Sequence, residues 1–138
     1  MLKKMNFPNN CTFSEYDQKK ICAFFKNSAY EQVLLLGVGF QDCNPLKVSI
    51  QFSFPNSSAH YQSKRRVLFA MAPIASAMQY CKSHNISLLI IHNHAYGAIP
   101  SESDKDSFEI IKGYADQHVL QYPLFAIFDM SNNTISLI

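Results

Sequence analysis

His92 and His94 close an apolar run, Leu88-Leu89-Ile90-Ile91, and residue type and spacing here suggest metal chemistry. Four apolar residues in a row, bounded by polar Asn85 and a glycine-containing loop, read as a short strand buried on both faces. Side chains alternate along a strand, so the two imidazoles project from one face about 7 Å apart along the backbone. Both can then reach a single Zn²⁺ at about 2.0–2.1 Å. Asp104, at the start of the helix expected next, can swing back as an oxygen ligand. Three protein ligands leave a fourth position open, which describes a catalytic zinc rather than a structural one. Taken alone, a His-x-His is a short motif, and two histidines can also simply end a buried strand.

A carboxylate for proton transfer has to come from elsewhere in the chain. Glu31 stands near the start of the apolar strand Tyr30–Gly37, where it is either a solvent-exposed strand end or a general base held beside the metal. Glu15, on the expected first helix, is a spare candidate, and Glu102 is the acid nearest the metal motif in sequence.

Residues 92–104 resemble the motif of the JAMM/MPN zinc metalloproteases, His-x-His followed after a loop by Ser-x-x-Asp. Pro100 precedes Ser101, as is frequent in that family, which favours Ser101/Asp104 over the overlapping pair Ser103/Asp106. The loop from His94 to Ser101 is one residue shorter than the family pattern, and Ala95 stands where a proline is common. The family's catalytic glutamate opens a strand that runs on through apolar residues to Leu-Gly, and Glu31 occupies that place before Leu36-Gly37. The resemblance implies zinc on His92, His94 and Asp104, Glu31 as the base and Ser101 as an oxyanion donor. It further implies hydrolysis of an isopeptide or peptide bond in a ubiquitin-like modifier or its conjugate.

The bulk properties narrow the setting. A chain of 138 residues with 48% apolar and 16% charged residues is long enough for one globular domain with an ordinary core. The net charge of +2 gives no nucleic-acid footprint, and the one basic run, Lys64-Arg65-Arg66, is short. No apolar run approaches the ~20 residues that a transmembrane helix needs, and Met1–Asn10 lacks a signal-peptide core, so a soluble, cytoplasmic protein is expected. Cys11, Cys22, Cys43 and Cys81 show no paired spacing and read as reduced thiols.

The elements that must position these groups follow from periodicity. Residues 1–11 read as a loose lead-in, and Ser14 or Thr12 caps a helix through Lys26. After the strand Tyr30–Gly37 and a turn at 42–45, residues 46–54 alternate apolar and polar as a half-buried strand. Residues 55–60 read as a loop and Arg65–Ala72 as a third strand. Pro73 then opens a helix that ends near His84-Asn85. Beyond the histidine strand come a helix from Ser101 or Ser103 to Gln117, a strand Tyr122–Phe128, a hairpin turn at 129–133 and a strand 134–138. The expected architecture is a mixed α/β (α+β) domain spanning 1–138, with a mixed central sheet and helices on both faces. This order is also similar to that of a minimal JAMM/MPN domain.

Two other functional classes fit part of this pattern. A metal-free MPN scaffold would bind partners without chemistry. A RadC-like nucleic-acid-associated protein is suggested by the His-Asn-His-x-x-Gly run, against which the near-neutral charge speaks.

Overall fold

A computed structural model of the chain describes residues 11–26, 28, 31–41, 46–54, 60–62, 67–69 and 71–138. The expectations for the lead-in through residue 10, the turn at 42–45, the loop at 55–59, the basic run at 64–66 and Cys43 lie outside the described residues.

The elements run β1 (Cys11–Phe13), α1 (Glu15–Phe25), β2 (Val33–Gln41), β3 (Leu46–Ser53), β4 (His60–Gln62), β5 (Val67–Phe69), α2 (Met71–Ser83), β6 (Ser87–His94), α3 (Glu102–Gln117), β7 (Leu124–Asp129) and β8 (Thr134–Leu137). Among the described residues, six strands form one mixed sheet in the order β1-β3-β2-β6-β7-β8, and β4 pairs with β5 in a second, two-stranded one. The expected α/β class, with helices on both faces of a mixed sheet, is therefore present.

Central strands β2 and β6 are continuous apolar runs because each face of the sheet carries its own core. Val33, Leu35, Leu88 and Ile90 pack with Ile74, Ala77 and Met78 of α2 and with Phe108, Ile111 and Ala115 of α3. Leu34, Leu36, Leu89 and Ile91 face the other way, onto Ile21 and Phe25 of α1 and onto Phe128. Each fully buried side chain of this size contributes about 1.5–3 kcal/mol, which ties the central strands to helices above and below. Such strands make a rigid base for a site at their ends.

Local chemistry accounts for the helix ends. Ser14 caps α1 by accepting from the Asp17 amide at 3.1 Å. Asn85 adopts φ 56° just after α2, the left-handed conformation expected of it.

Strand starts shift by two or three residues at β2 and β7, and three larger differences from expectation stand out. Gly37 does not end its strand: the register with β3 shifts between Gly37 and Val38, and β2 continues to Gln41. A bulge of this kind bends a strand without stopping it. A Cβ added at Gly37 would also lie 2.6 Å from Ile86 Cδ1, so glycine serves close packing there. The third strand expected over 65–72 is present as the shorter β5 (Val67–Phe69), paired with β4 and not in the main sheet, and α2 already starts at Met71. Pro73 lies inside the first helical turn, where amides have no intrahelical acceptor and proline costs little, so the helix need not begin at it. Finally, Cys11–Phe13 is no lead-in but pairs in parallel with β3.

Candidate metal centre

β6 ends at the site. Val33 of β2 lies opposite His92, and His92 lies beside Ile127 of β7, so the first histidine is held between two paired strands. It is only 1% exposed. His94, two residues on, projects from the same face, and the two rings meet edge to face with centroids 4.6 Å apart. The backbone at His94 is fixed as well, because the Met130 amide donates to its carbonyl at 2.9 Å.

Asp104 arrives from the first turn of α3. Ser101 caps that helix by accepting from the Asp104 amide at 3.1 Å, and the Ser101 amide donates back to Asp104 Oδ2 at 2.8 Å. This reciprocal capping box fixes the carboxylate before any ligand arrives. The same Oδ2 lies 3.1 Å from His92 Nε2 and 3.1 Å from His94 Nε2. Asp104 is 3% exposed, so three ligating side chains converge in a nearly dry corner. Their candidate ligand atoms all lie within 4.8 Å of one another. Tetrahedral ligands about 2.0–2.1 Å from zinc stand roughly 3.3 Å apart, close to the separations here. The donor set fits a metal ion: two imidazoles and a carboxylate, the last oriented by an amide hydrogen bond as ligating carboxylates usually are.

The electrostatics agree with the geometry. Burial disfavours the Asp104 charge, but polar contacts with His92 and His94 and the Ser101 amide outweigh it and hold the carboxyl well below the usual range. His94 is pushed the other way. Its hydrogen bond with Asp104 raises its pKa, burial opposes this, and the charges of Asp104, Glu31 and Asp129 raise it further.

Glu31 is therefore close enough for its charge to act on His94. It lies two residues before Val33, half-buried, just beyond the last β2–β6 ladder pair. Continuing that antiparallel register places Gln32 opposite Asn93 and Glu31 opposite His94, on the face that carries the histidines. Ser101 is exposed at the mouth of α3. Its oxygen accepts within the capping box, and a hydroxyl that accepts can still donate its own proton. The tertiary structure thus brings His92, His94, Asp104, Ser101 and Glu31 to one end of the sheet.

The competing residues lie elsewhere. Asp106 is exposed and takes no part in the cluster, so Asp104, and not Asp106, is the carboxylate placed to hold a metal with the two histidines. Glu15 pairs with Lys19 on the surface of α1, and Glu102 pairs with Lys105. The backbone of His60 belongs to β4 rather than to a loop.

Two buried polar residues beside the site escaped the sequence reading. Asp129 ends β7 in register with His94. The Ser131 hydroxyl and amide, the Asn132 side chain and the Gly97 amide hold its carboxyl below the ordinary range against the effect of burial. It thereby ties the β7–β8 turn to the loop that follows His94. A turn aspartate carries no sequence mark of that second attachment. Asn93 is the other, and its place between two histidines was the only available signal.

Among the described residues, no helix is long and apolar enough to cross a membrane. Compared with models of known protein families and with curated proteins, the chain gives no match.

Proposed function

We propose that the protein is a zinc-dependent hydrolase of amide bonds, acting on a peptide or isopeptide bond of a ubiquitin-like modifier or its conjugate in the cytoplasm. The observation that carries the reading is the buried His92/His94/Asp104 cluster with the Glu31 charge acting on His94. The JAMM/MPN resemblance of residues 92–104 and of the strand after Glu31 supports the choice of substrate.

Zinc bound by the cluster supplies Lewis acidity, lowering the pKa of coordinated water towards ~7 and polarising an amide carbonyl. The chain's own groups do the rest. Glu31 accepts the proton of the attacking water and passes it to the departing nitrogen, which leaves as an amine. The Ser101 hydroxyl donates to the oxygen of the attacked carbonyl as charge develops there. The capping box holds that hydroxyl and the Asp104 carboxylate in fixed relation. Val33 and Phe108, packed in the core below, keep this end of the sheet rigid.

Metal analysis combined with one cleavage assay tests the reading. The purified chain, incubated with excess zinc and dialysed, is expected to retain about one zinc and to release a ubiquitin-like modifier from a C-terminal fusion. A chain that takes up no zinc at neutral pH would end the enzyme reading in favour of a metal-free scaffold. Retention of zinc without cleavage of any such fusion would overturn the assigned substrate class.

A further inference from the structure

Asn93 stands between the two histidines, and strand alternation turns it to the opposite face of β6, away from the metal cluster. There it is 2% exposed, a buried side-chain amide beside the apolar core under α1. Burying such a group is unfavourable unless its polar atoms are matched. Its Oδ1 accepts from the Gln32 amide at 2.6 Å, and its Nδ2 donates to Met130 Sδ at 3.1 Å. An amide N–H requires an acceptor, so the oxygen is the atom that faces Gln32.

The Gln32 contact lies where the sheet stops. Ladder pairing of β2 with β6 ends at Val33 opposite His92. The next two residues, Gln32 and Glu31, lie beyond the ladder. The Asn93 side chain extends the pairing by one residue, because it takes the hydrogen bond that a backbone carbonyl would otherwise accept. Met130 braces it from the other side, since the Met130 amide also donates to the His94 carbonyl. One side chain therefore links the backbone of the metal strand to the backbone that carries Glu31.

We propose that Asn93 is a positioning residue, whose hydrogen bond to Gln32 sets the place of Glu31 relative to the His92/His94/Asp104 cluster. A general base has to lie within about 2.6–3.2 Å of the proton it takes, and ~1 Å of misplacement can cost ~10²-fold in rate. Because this role presupposes Glu31 as the base of an amide hydrolase, a measurement that needs no substrate accompanies the kinetic one.

The test uses the zinc-loaded full chain and compares wild type with Asn93→Leu, which lacks the acceptor at similar size. Asn93→Ser, too short to reach Gln32, takes its place if the leucine variant does not fold. Asn93→Asp keeps the acceptor oxygen and is the conservative control. Hydrogen exchange at the Gln32 amide, followed by NMR, is expected to be at least about tenfold faster in the leucine variant and near wild type in the aspartate variant. Against a ubiquitin-like fusion, kcat is expected to fall ~10–100-fold in Asn93→Leu with KM little changed. In a Glu31→Gln background, Asn93→Leu should lower kcat no further, since both changes act through one group.

Unchanged Gln32 exchange in Asn93→Leu overturns the proposal whatever the activity. Faster exchange with wild-type kcat, or with losses that simply multiply in the double variant, overturns it too, leaving Asn93 as ordinary packing. A zinc-loaded wild type that cleaves no amide sinks the hydrolase reading instead, and with it the role of Asn93 in catalysis.

Discussion

Asp104 Oδ2 stands 3.1 Å from His94 Nε2 and 2.8 Å from the backbone nitrogen of Ser101, so one oxygen serves both a helix cap and a cluster able to hold a metal. The N-terminus of α3 consequently cannot shift without moving the carboxylate. This coupling makes the site rigid before a metal arrives, and it makes the effects of substitution specific.

Removing either histidine should remove most of the zinc. His92→Ala and His94→Ala each leave two protein ligands, and the metal content per chain, read by atomic spectroscopy after dialysis, should fall from about one to near zero. Retained stoichiometric zinc in both variants would place the metal elsewhere.

The two Ser-x-x-Asp registers separate cleanly. Asp104→Asn keeps an oxygen that can accept from the Ser101 amide but loses the charge, and zinc affinity should fall by at least ~10–100-fold in competition with a chromogenic chelator. Asp106, exposed on α3, should be silent when changed to Ala. Equal affinities for the Asp104→Asn and wild-type proteins would remove the carboxylate from the ligand set.

Glu31→Gln should retain zinc and the fold, because the residue is no ligand and the change is nearly isosteric. Hydrolysis should drop by the ~10²–10⁴ that general-base catalysis supplies, with substrate affinity little changed. Such a variant would bind its conjugate without cutting it and would capture the modifier in pull-down experiments. Cleavage at the wild-type rate would reduce Glu31 to a strand-end acid.

Ser101→Ala should show two separable losses. Without the cap, thermal stability should fall by about 1 kcal/mol, seen as a few degrees in the melting midpoint. Without the hydroxyl donor, kcat should fall by ~10²–10³ at 25 °C, where the variant is still folded. A lower midpoint with unchanged kcat would leave Ser101 as a cap alone.

As pH rises through the raised His94 value, the stability of the metal-free protein and the zinc affinity should run in opposite senses. Asp104 is held below its usual pKa, so its contribution to stability is present above ~4 and is lost as pH falls through the depressed folded value. His94 is held above its usual value, so its contribution is complete below ~6.5 and is lost as pH rises through the raised folded value. Between those limits the metal-free chain gains from both groups. Zinc competes with the proton on His94, so its affinity should climb as pH rises through that same raised value. Denaturant titrations of the metal-free chain, carried below pH 4 to reach the Asp104 loss, and zinc titrations from pH 4 to 8.5 check these slopes; a zinc affinity flat over that range would exclude a titrating ligand.

What the sequence by itself determined was local. Alternation puts His92 and His94 on one face whatever the sheet does with them. The unbroken run Leu88–Ile91 announces a strand covered on both sides, as the two cores confirm. Ser101 and Asp104 are spaced for a capping box, and Ser14 for a helix start, because each cap depends on only a few neighbouring residues. Everything that joins distant residues was left to the tertiary structure. The choice of Asp104 over Asp106 depends on how α3 sits against β6. The nearness of Glu31 to His94 depends on the register of β2 against β6, which rests on contacts across more than fifty residues of chain. Gly37 reads locally as a stop, yet the strand passes through it, because pairing with β3 and β6 on either side outweighs its turn preference. Asn93 shows in the sequence only as the residue between two histidines, which says nothing of Gln32. Only folding brings the Gln32 amide to the Asn93 side-chain oxygen, since the register of β2 against β6 decides which backbone group that oxygen meets.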